Sequence, residues 1–172
     1  MAISSGIAVK FKEDSLKGLH DFTSAEFKIA LYTSSATLNS ATTSFTTSNE
    51  VSSSNYSSGG GALVNNPTSI TAGVARADFA DLSFQNVTLT ARGALIYNTS
   101  SATTNSAVCV LDFGGDVSCE VESIYEIGFS EGLSIDDVLV ESSCLVTNTG
   151  EISISVSGGN GDYTYQWFDD TN

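Results

Sequence analysis

The feature that most limits the fold of this chain is its run of short segments with alternating apolar residues, each closed by glycine or by small polar residues. Residues 26–33 (EFKIALYT) set Phe27, Ile29 and Leu31 on one side and Glu26 and Lys28 on the other, the two-residue period of a half-buried strand. Residues 74–79 read as a second strand. Residues 87–97 read as a third, with Val87, Leu89, Ala91, Leu95 and Tyr97 on one face. A strand over 107–113 is ended by Gly114-Gly115-Asp116, and one over 121–129 aligns Val121, Tyr125, Ile127 and Phe129. Gly59-Gly60-Gly61 and Asn65-Asn66-Pro67 are turns. Only residues 11–20 suit a helix: Phe11, Leu16 and Leu19 share a face, and Gly18 limits its length. Many short strands and one short helix predict an all-β fold, a sandwich or jelly-roll-like domain.

Charge narrows the partners. The net charge is −14, with six basic residues in 172. Phosphate backbones are bound by clustered Lys and Arg, so no nucleic acid is expected as partner, and no anionic membrane. Solubility is the favoured reading of the acidity, and cation binding the other. The N-terminus lacks a basic start and a sustained apolar run, so no cleavable export signal is expected and synthesis in a cytoplasm is. No stretch approaches the roughly 20 apolar residues of a membrane-spanning helix. Cys109, Cys119 and Cys144 lack metal-ligand spacing, and the lone His20 cannot complete a zinc site. Reduced, partly buried thiols are expected.

The pattern changes near residues 133–150. Residues 133–140 read as a strand or a connector, and from Glu141 a new module begins, which divides the chain into 1–140 and 141–172. The second part holds the strand EISISV, a Gly-Gly-Asn-Gly turn and the strand YTYQWF. Two strands cannot bury a core alone, so this part either packs on the first or opens a further domain.

No catalytic constellation is present. Asp112 and Asp116 flank Gly114-Gly115, and Asp136-Asp137 and Asp169-Asp170 are paired. Paired carboxylates can divide acid and base roles, and clustered oxygens on turns suit Ca²⁺. Asp is also simply common in turns, which is the favoured reading. Gly59-Gly60-Gly61 has no following Lys and no helix, so it is no phosphate loop. A serine triad would have to use His20, which has no nucleophile near it in sequence. Arg92, one of two arginines, faces opposite Leu89, Ala91 and Leu95, and is expected to form a structural salt bridge with Asp78 or Asp112. Trp167 with Tyr163 and Tyr165 suits core packing better than a sugar platform. The expectation is a protein without catalytic, cofactor or metal residues.

Two resemblances add to this. Residues Leu19-His20-Asp21-Phe22-Thr23, Phe27-Lys28-Ile29-Ala30-Leu31-Tyr32-Thr33, Asn49-Glu50-Val51, Tyr56 and Gly59-Gly60-Gly61 with Leu63 come first. Thr90-Ala91-Arg92-Gly93-Ala94-Leu95-Ile96-Tyr97-Asn98 and Ala107-Val108-Cys109-Val110-Leu111-Asp112-Phe113-Gly114-Gly115-Asp116 follow. Their order and spacing over about 11–129 resemble a family of small structural proteins of bacteriophage virions. Glu120 to Phe129 departs from the Thr-rich strand that ends that family. From 141 onward, Glu151-Ile152-Ser153-Ile154-Ser155-Val156-Ser157-Gly158-Gly159-Asn160-Gly161-Asp162 with Tyr163, Tyr165 and Trp167 resembles the start of an immunoglobulin-like adhesin repeat of the SprB or PKD type.

The first resemblance implies a place on the particle surface, as a capsid decoration or fibre-anchoring protein, or in the tail. A bacterial surface adhesin or glycan-binding module is the other class. Implied partners are virion proteins, copies of itself and, through the C-terminal segment, host-surface or environmental glycans. Unguarded strand edges and the long Ser/Thr-rich stretch 34–58 further suggest that a neighbouring copy covers the domain, as a homo-oligomer such as a trimer.

Overall fold

A computed structural model describes residues 2–71, 73–100, 104–119, 123–128, 133–134 and 141–146. Its elements are β1 (Gly6–Ile7), α1 (Val9–Leu16), β2 (Phe27–Tyr32), β3 (Gly61–Leu63), β4 (Asn65–Thr71) and β5 (Val74–Phe79). Then follow β6 (Leu82–Gln85), β7 (Leu89–Asn98), β8 (Ser106–Cys119), β9 (Ser123–Gly128), β10 (Leu133–Ser134) and β11 (Glu141–Val146). A five-stranded sheet runs β1-β8-β7-β2-β3, and two three-stranded sheets run β10-β5-β4 and β11-β9-β6. The pairings between these strands are antiparallel. Among the described residues the fold is all-β with a single short helix.

β2 and β7 form the centre of the large sheet, with Lys28 opposite Tyr97 and Ala30 opposite Leu95. β2 is buried along both faces, apart from the partly buried Lys28, and not half-buried as its alternation predicts. Each face has its own cover. Phe27 packs on Phe22 and Phe79 and stacks with His20, so that face lies under the segment after α1 and under β5. On the other face Tyr97 stacks on Phe45, and the Tyr32 hydroxyl donates to the Thr46 carbonyl at 2.6 Å. The Ser/Thr-rich segment after β2 thus folds back on its own sheet. Backbone bonds secure it, among them Val51 N–H to Leu31, Phe45 N–H to Asn105 and Val9 N–H to Ser40. Its order comes from the same chain, which removes one of the two grounds for a covering neighbour.

α1 starts and stops earlier than its apolar residues predict. Gly18, at φ +68°, closes it, and Phe11 and Asp14 are its buried residues. Leu16 is 91% exposed, a correction to the shared face of Phe11, Leu16 and Leu19. Leu16 stands five residues from Phe11, about 140° round the helix axis, so burying one turns the other outward.

β8 also differs. It continues past Gly114-Gly115-Asp116, which the sequence assigns as its end. Ala91 pairs with Val117 and Gly93 with Asp112, so residues 113–116 stand opposite Arg92 alone. This is a wide bulge, and Gly114 at φ +78° makes the bend. β9 carries the buried Tyr125 and Ile127 as expected, while Val121 and Phe129 lie outside the described residues. β11 pairs with β9 over six residues, Glu141 opposite Gly128 to Val146 opposite Ser123. The backbone of residues 141–146 is therefore joined to the sheet that holds β9 and β6.

Candidate functional site

Three polar constellations lie in or against this core. The first gathers residues far apart in sequence around Glu50. Its Oε1 accepts the Gly59 N–H at 2.6 Å and the Tyr56 hydroxyl at 3.1 Å, and its Oε2 accepts the Ser58 hydroxyl at 2.8 Å. Tyr56 in turn accepts the Leu31 N–H at 2.8 Å, and the Tyr97 hydroxyl donates to the Gly59 carbonyl at 2.7 Å. Burial pushes Tyr32 and Tyr56 well above the ordinary phenol range and Tyr97 up to about 12, so all three stay protonated donors at neutral pH. Gly60 sits at φ +71°, and a Cβ there would lie 1.8 Å from the Ile29 carbonyl oxygen. The residues Asn49-Glu50-Val51, Tyr56, Gly59-Gly60-Gly61 and Tyr97 thus form one clamp that fastens the segment after β2 to the large sheet. Gly59-Gly60-Gly61 acts by close backbone approach.

The second constellation surrounds His20. Asp14 accepts the Ser106 hydroxyl at 2.8 Å on Oδ2 and the Lys10 ammonium on Oδ1. His20 Nε2 is 3.8 Å from Asp14 Oδ2, too far for a hydrogen bond. The Asn98 side-chain oxygen accepts the Ser100 N–H at 2.8 Å, which turns its amide nitrogen to His20 Nδ1 at 3.0 Å. Nδ1 is therefore the acceptor, and the neutral ring carries its proton on Nε2. Burial pushes the His20 pKa down, partly opposed by Asp14. Burial pulls the Asp14 carboxyl up, but Lys10 and Ser106 outweigh it and hold it below its ordinary value. Ser, His and Asp do meet here, which the sequence does not reveal. The order is wrong for a triad, because Ser106 donates to Asp14 and not to His20. The network fastens α1 to β7 and β8.

The third is the pair singled out from sequence. Arg92 Nη1 lies 2.9 Å from Asp112 Oδ1, and Nη2 donates to Oδ2 at 3.4 Å, with about a quarter of each side chain exposed. Asp78 goes elsewhere, accepting from the Asn66 side chain and from the Phe79 N–H. Asp112 also accepts the Gly114 N–H, so the ion pair steadies the bulge opposite Arg92. Among the described residues no group of three or more His, Cys, Asp or Glu could hold a metal ion, and no helix is long and apolar enough to cross a membrane. Asp136-Asp137 and Asp169-Asp170 lie outside those residues.

The cysteines divide. Cys109 is a free thiol whose pKa burial drives upward. Cys119, at the end of β8, is disulfide-bonded, which corrects the expectation of reduced thiols throughout. The remaining cysteine of the chain, Cys144, is on β11, its backbone paired with Tyr125 of β9.

One cleft stands out, between α1 and the β4–β5 hairpin, with a volume of about 640 Å³. Ile7, Phe11, Phe22, Ile70 and Val108 give it apolar walls, and Ser15, Thr68, Ser69 and Arg76 its polar points.

Residues 137–172 match the family model of the SprB repeat. The C-terminal end is thus similar to an adhesin-type repeat, and β11 lies inside the matched segment. No curated protein and no solved structure matches the chain.

Proposed function

We propose that this is a non-catalytic display protein of a bacteriophage particle, in which residues 1–140 anchor the chain to the virion and the C-terminal adhesin-type repeat faces outward. The observation that carries this reading is the junction: β11, inside the SprB-type segment, is hydrogen-bonded along its length to β9 of the body. A load on the repeat is passed to a sheet and not to a loose linker. The ordered motifs resembling virion structural proteins support the particle as the location. Part of them, Asn49-Glu50-Val51, Tyr56, Gly59-Gly60-Gly61 and Tyr97, meets in the clamp, which on this reading is the framework of the anchor. Synthesis in the host cytoplasm and release by lysis follow from this reading, as do virion proteins and other copies of the chain as partners. Surface glycans are the class of target for the repeat.

Mass spectrometry of purified particles tests the location, and gold-labelled antibody against residues 141–172 tests the orientation. The chain is expected at many copies per particle with the epitope accessible on intact virions. Its absence from particles overturns the proposal. The disulfide at Cys119 favours one second reading, a bacterial surface adhesin module, because such bonds persist in oxidising surroundings. Recovery of the chain from bacterial surfaces and not from particles decides for it.

A further inference from the structure

We propose that Cys119 and Cys144 form an oxidation-set latch, open in a reducing cytoplasm and closed outside it, which fixes β11, inside the SprB-type segment, to β8 of the large sheet. The pairing follows by elimination. The chain has three cysteines; Cys119 is disulfide-bonded and Cys109 is a free thiol, which leaves Cys144 as the partner within the chain. The course of the backbone agrees. β8 ends at Cys119, and β11 lies against β8. The Cys119 sulfur is 3.5 Å from the Ile124 carbonyl oxygen, and Ile124 is paired with Leu145, the neighbour of Cys144.

The bond crosses between sheets. β8 belongs to the five-stranded sheet, and β11 to the sheet it forms with β9 and β6. Closure places residues 120–143, with β9 and β10, inside a covalent loop. A pull from beyond Val146 then peels the pairs Val146–Ser123 and Leu145–Ile124, reaches Cys144 and passes through sulfur into β8. β8 is held by β1 and β7 on its two sides. Without the bond the same pull unzips β11 from β9 one pair at a time. Cys109 does not compete: it is wholly buried, and burial drives its thiol pKa up, so it holds little of the thiolate that attacks a disulfide. Closure needs an oxidant, and a low-molecular-weight disulfide supplies it. One cysteine thiolate attacks it and releases one thiol; the second cysteine attacks the mixed disulfide and releases the other. The two cysteines lose two protons and two electrons, and the small disulfide becomes two thiols. Cys119 is 2% exposed, which shields the closed bond from small reductants. The latch is common to both readings above, since a virion protein and a surface adhesin each pass from a reducing cytoplasm to oxidising surroundings.

The full chain tests this in two samples: one made in a reducing cytoplasm and harvested with its thiols trapped by an alkylating agent, the other treated with oxidised glutathione. Non-reducing peptide mapping should find Cys119 and Cys144 alkylated in the first and joined in the second, with Cys109 unpaired in both. Pulled from its two ends until fully extended, the oxidised chain should be about 80 Å shorter than the reduced one, because the residue steps from 119 to 144, at about 3.3–3.6 Å each, drop out of the path. Under oxidant Cys144→Ser should extend as far as the reduced parent, and Cys109→Ala should stay as short as the oxidised parent. A link through Cys109, a link between two chains, no link after oxidation, or a link already complete in the trapped cytoplasmic sample overturns the proposal.

Discussion

Replacing Glu50 by Ala should loosen the segment after β2 more than any other single change to its surface. Three donors lose their acceptor: the Gly59 N–H, the Tyr56 hydroxyl and the Ser58 hydroxyl. Ser58 is exposed and turns to water at little cost. Gly59 and Tyr56 are buried, and a hydrogen bond to a charged acceptor contributes about 1.5–3 kcal/mol. Tyr56 keeps its bond from the Leu31 N–H, which limits its loss. The net cost is about 3 kcal/mol, or roughly 6–12 °C in Tm for a domain of this size. Glu50→Gln with its oxygen at the Oε1 position keeps the acceptor of both the Gly59 N–H and the Tyr56 hydroxyl and turns its amide to Ser58 alone, so less than half of the loss should remain. Thermal and urea unfolding give the magnitude, and limited proteolysis within residues 34–60 gives the location. A Glu50→Ala protein within about 0.5 kcal/mol of the parent, or unchanged cleavage of that segment, would refute the clamp.

Three further outcomes follow from the same structure. Gly60→Ala and Gly18→Ala both force a side chain to positive φ, costing about 1–2 kcal/mol; only at Gly60 does the new Cβ meet backbone, so its Tm should fall at least twice as far, and equal losses would rule out the close approach. Because the folded pKa of His20 lies below its ordinary value of 6.5, its contribution is complete above about pH 6.5 and is lost as pH falls through the folded value, with Asp14 adding a further loss below 3.8. Urea unfolding of His20→Gln across pH 7 to 5 should show a flatter profile than the parent, whereas parallel profiles would contradict a buried neutral imidazole. Cys119→Ser should cost about 2–4 kcal/mol, and reducing agent should lower the Tm of the parent but not of this variant.

Local pattern reached as far as local physics decides. Val74 to Phe79 alternates and is a strand over those residues, and Gly18 stops α1 because a left-handed residue cannot continue a helix. What the sequence hid was set by distant partners. Lys28 and Ala30 look outward on a half-buried strand, but a segment without periodicity covers them. Its order rests on contacts such as Phe45 with Tyr97 and Glu50 with Gly59. Gly114-Gly115 reads as a terminator, yet β7 offers a single residue opposite four and the strand resumes. Asp14 is the clearest case. A carboxylate on the inner face of a helix is a warning sign by itself, and the partners that justify it, Ser106 and His20, are known only once β8 lies beside α1.

Whether copies of the chain associate now rests on edges and not on loops. The segment after β2 is satisfied by its own chain, so it demands no neighbour. The edges remain. β4 is the outer strand of its sheet and exposes Ile70 at 78%, just after Val64 at 66%. Pro67 lies within β4, and its register with β5 shifts between Asn66 and Ser69. A missing N–H and a broken register both blunt an edge against pairing with another strand. The apolar residues there are therefore better suited to side-chain contact than to extension of the sheet. On a particle surface, this hairpin is the part of the body best placed to pack against a neighbour by burying Ile70 and Val64 while the chain's acidity keeps free copies apart.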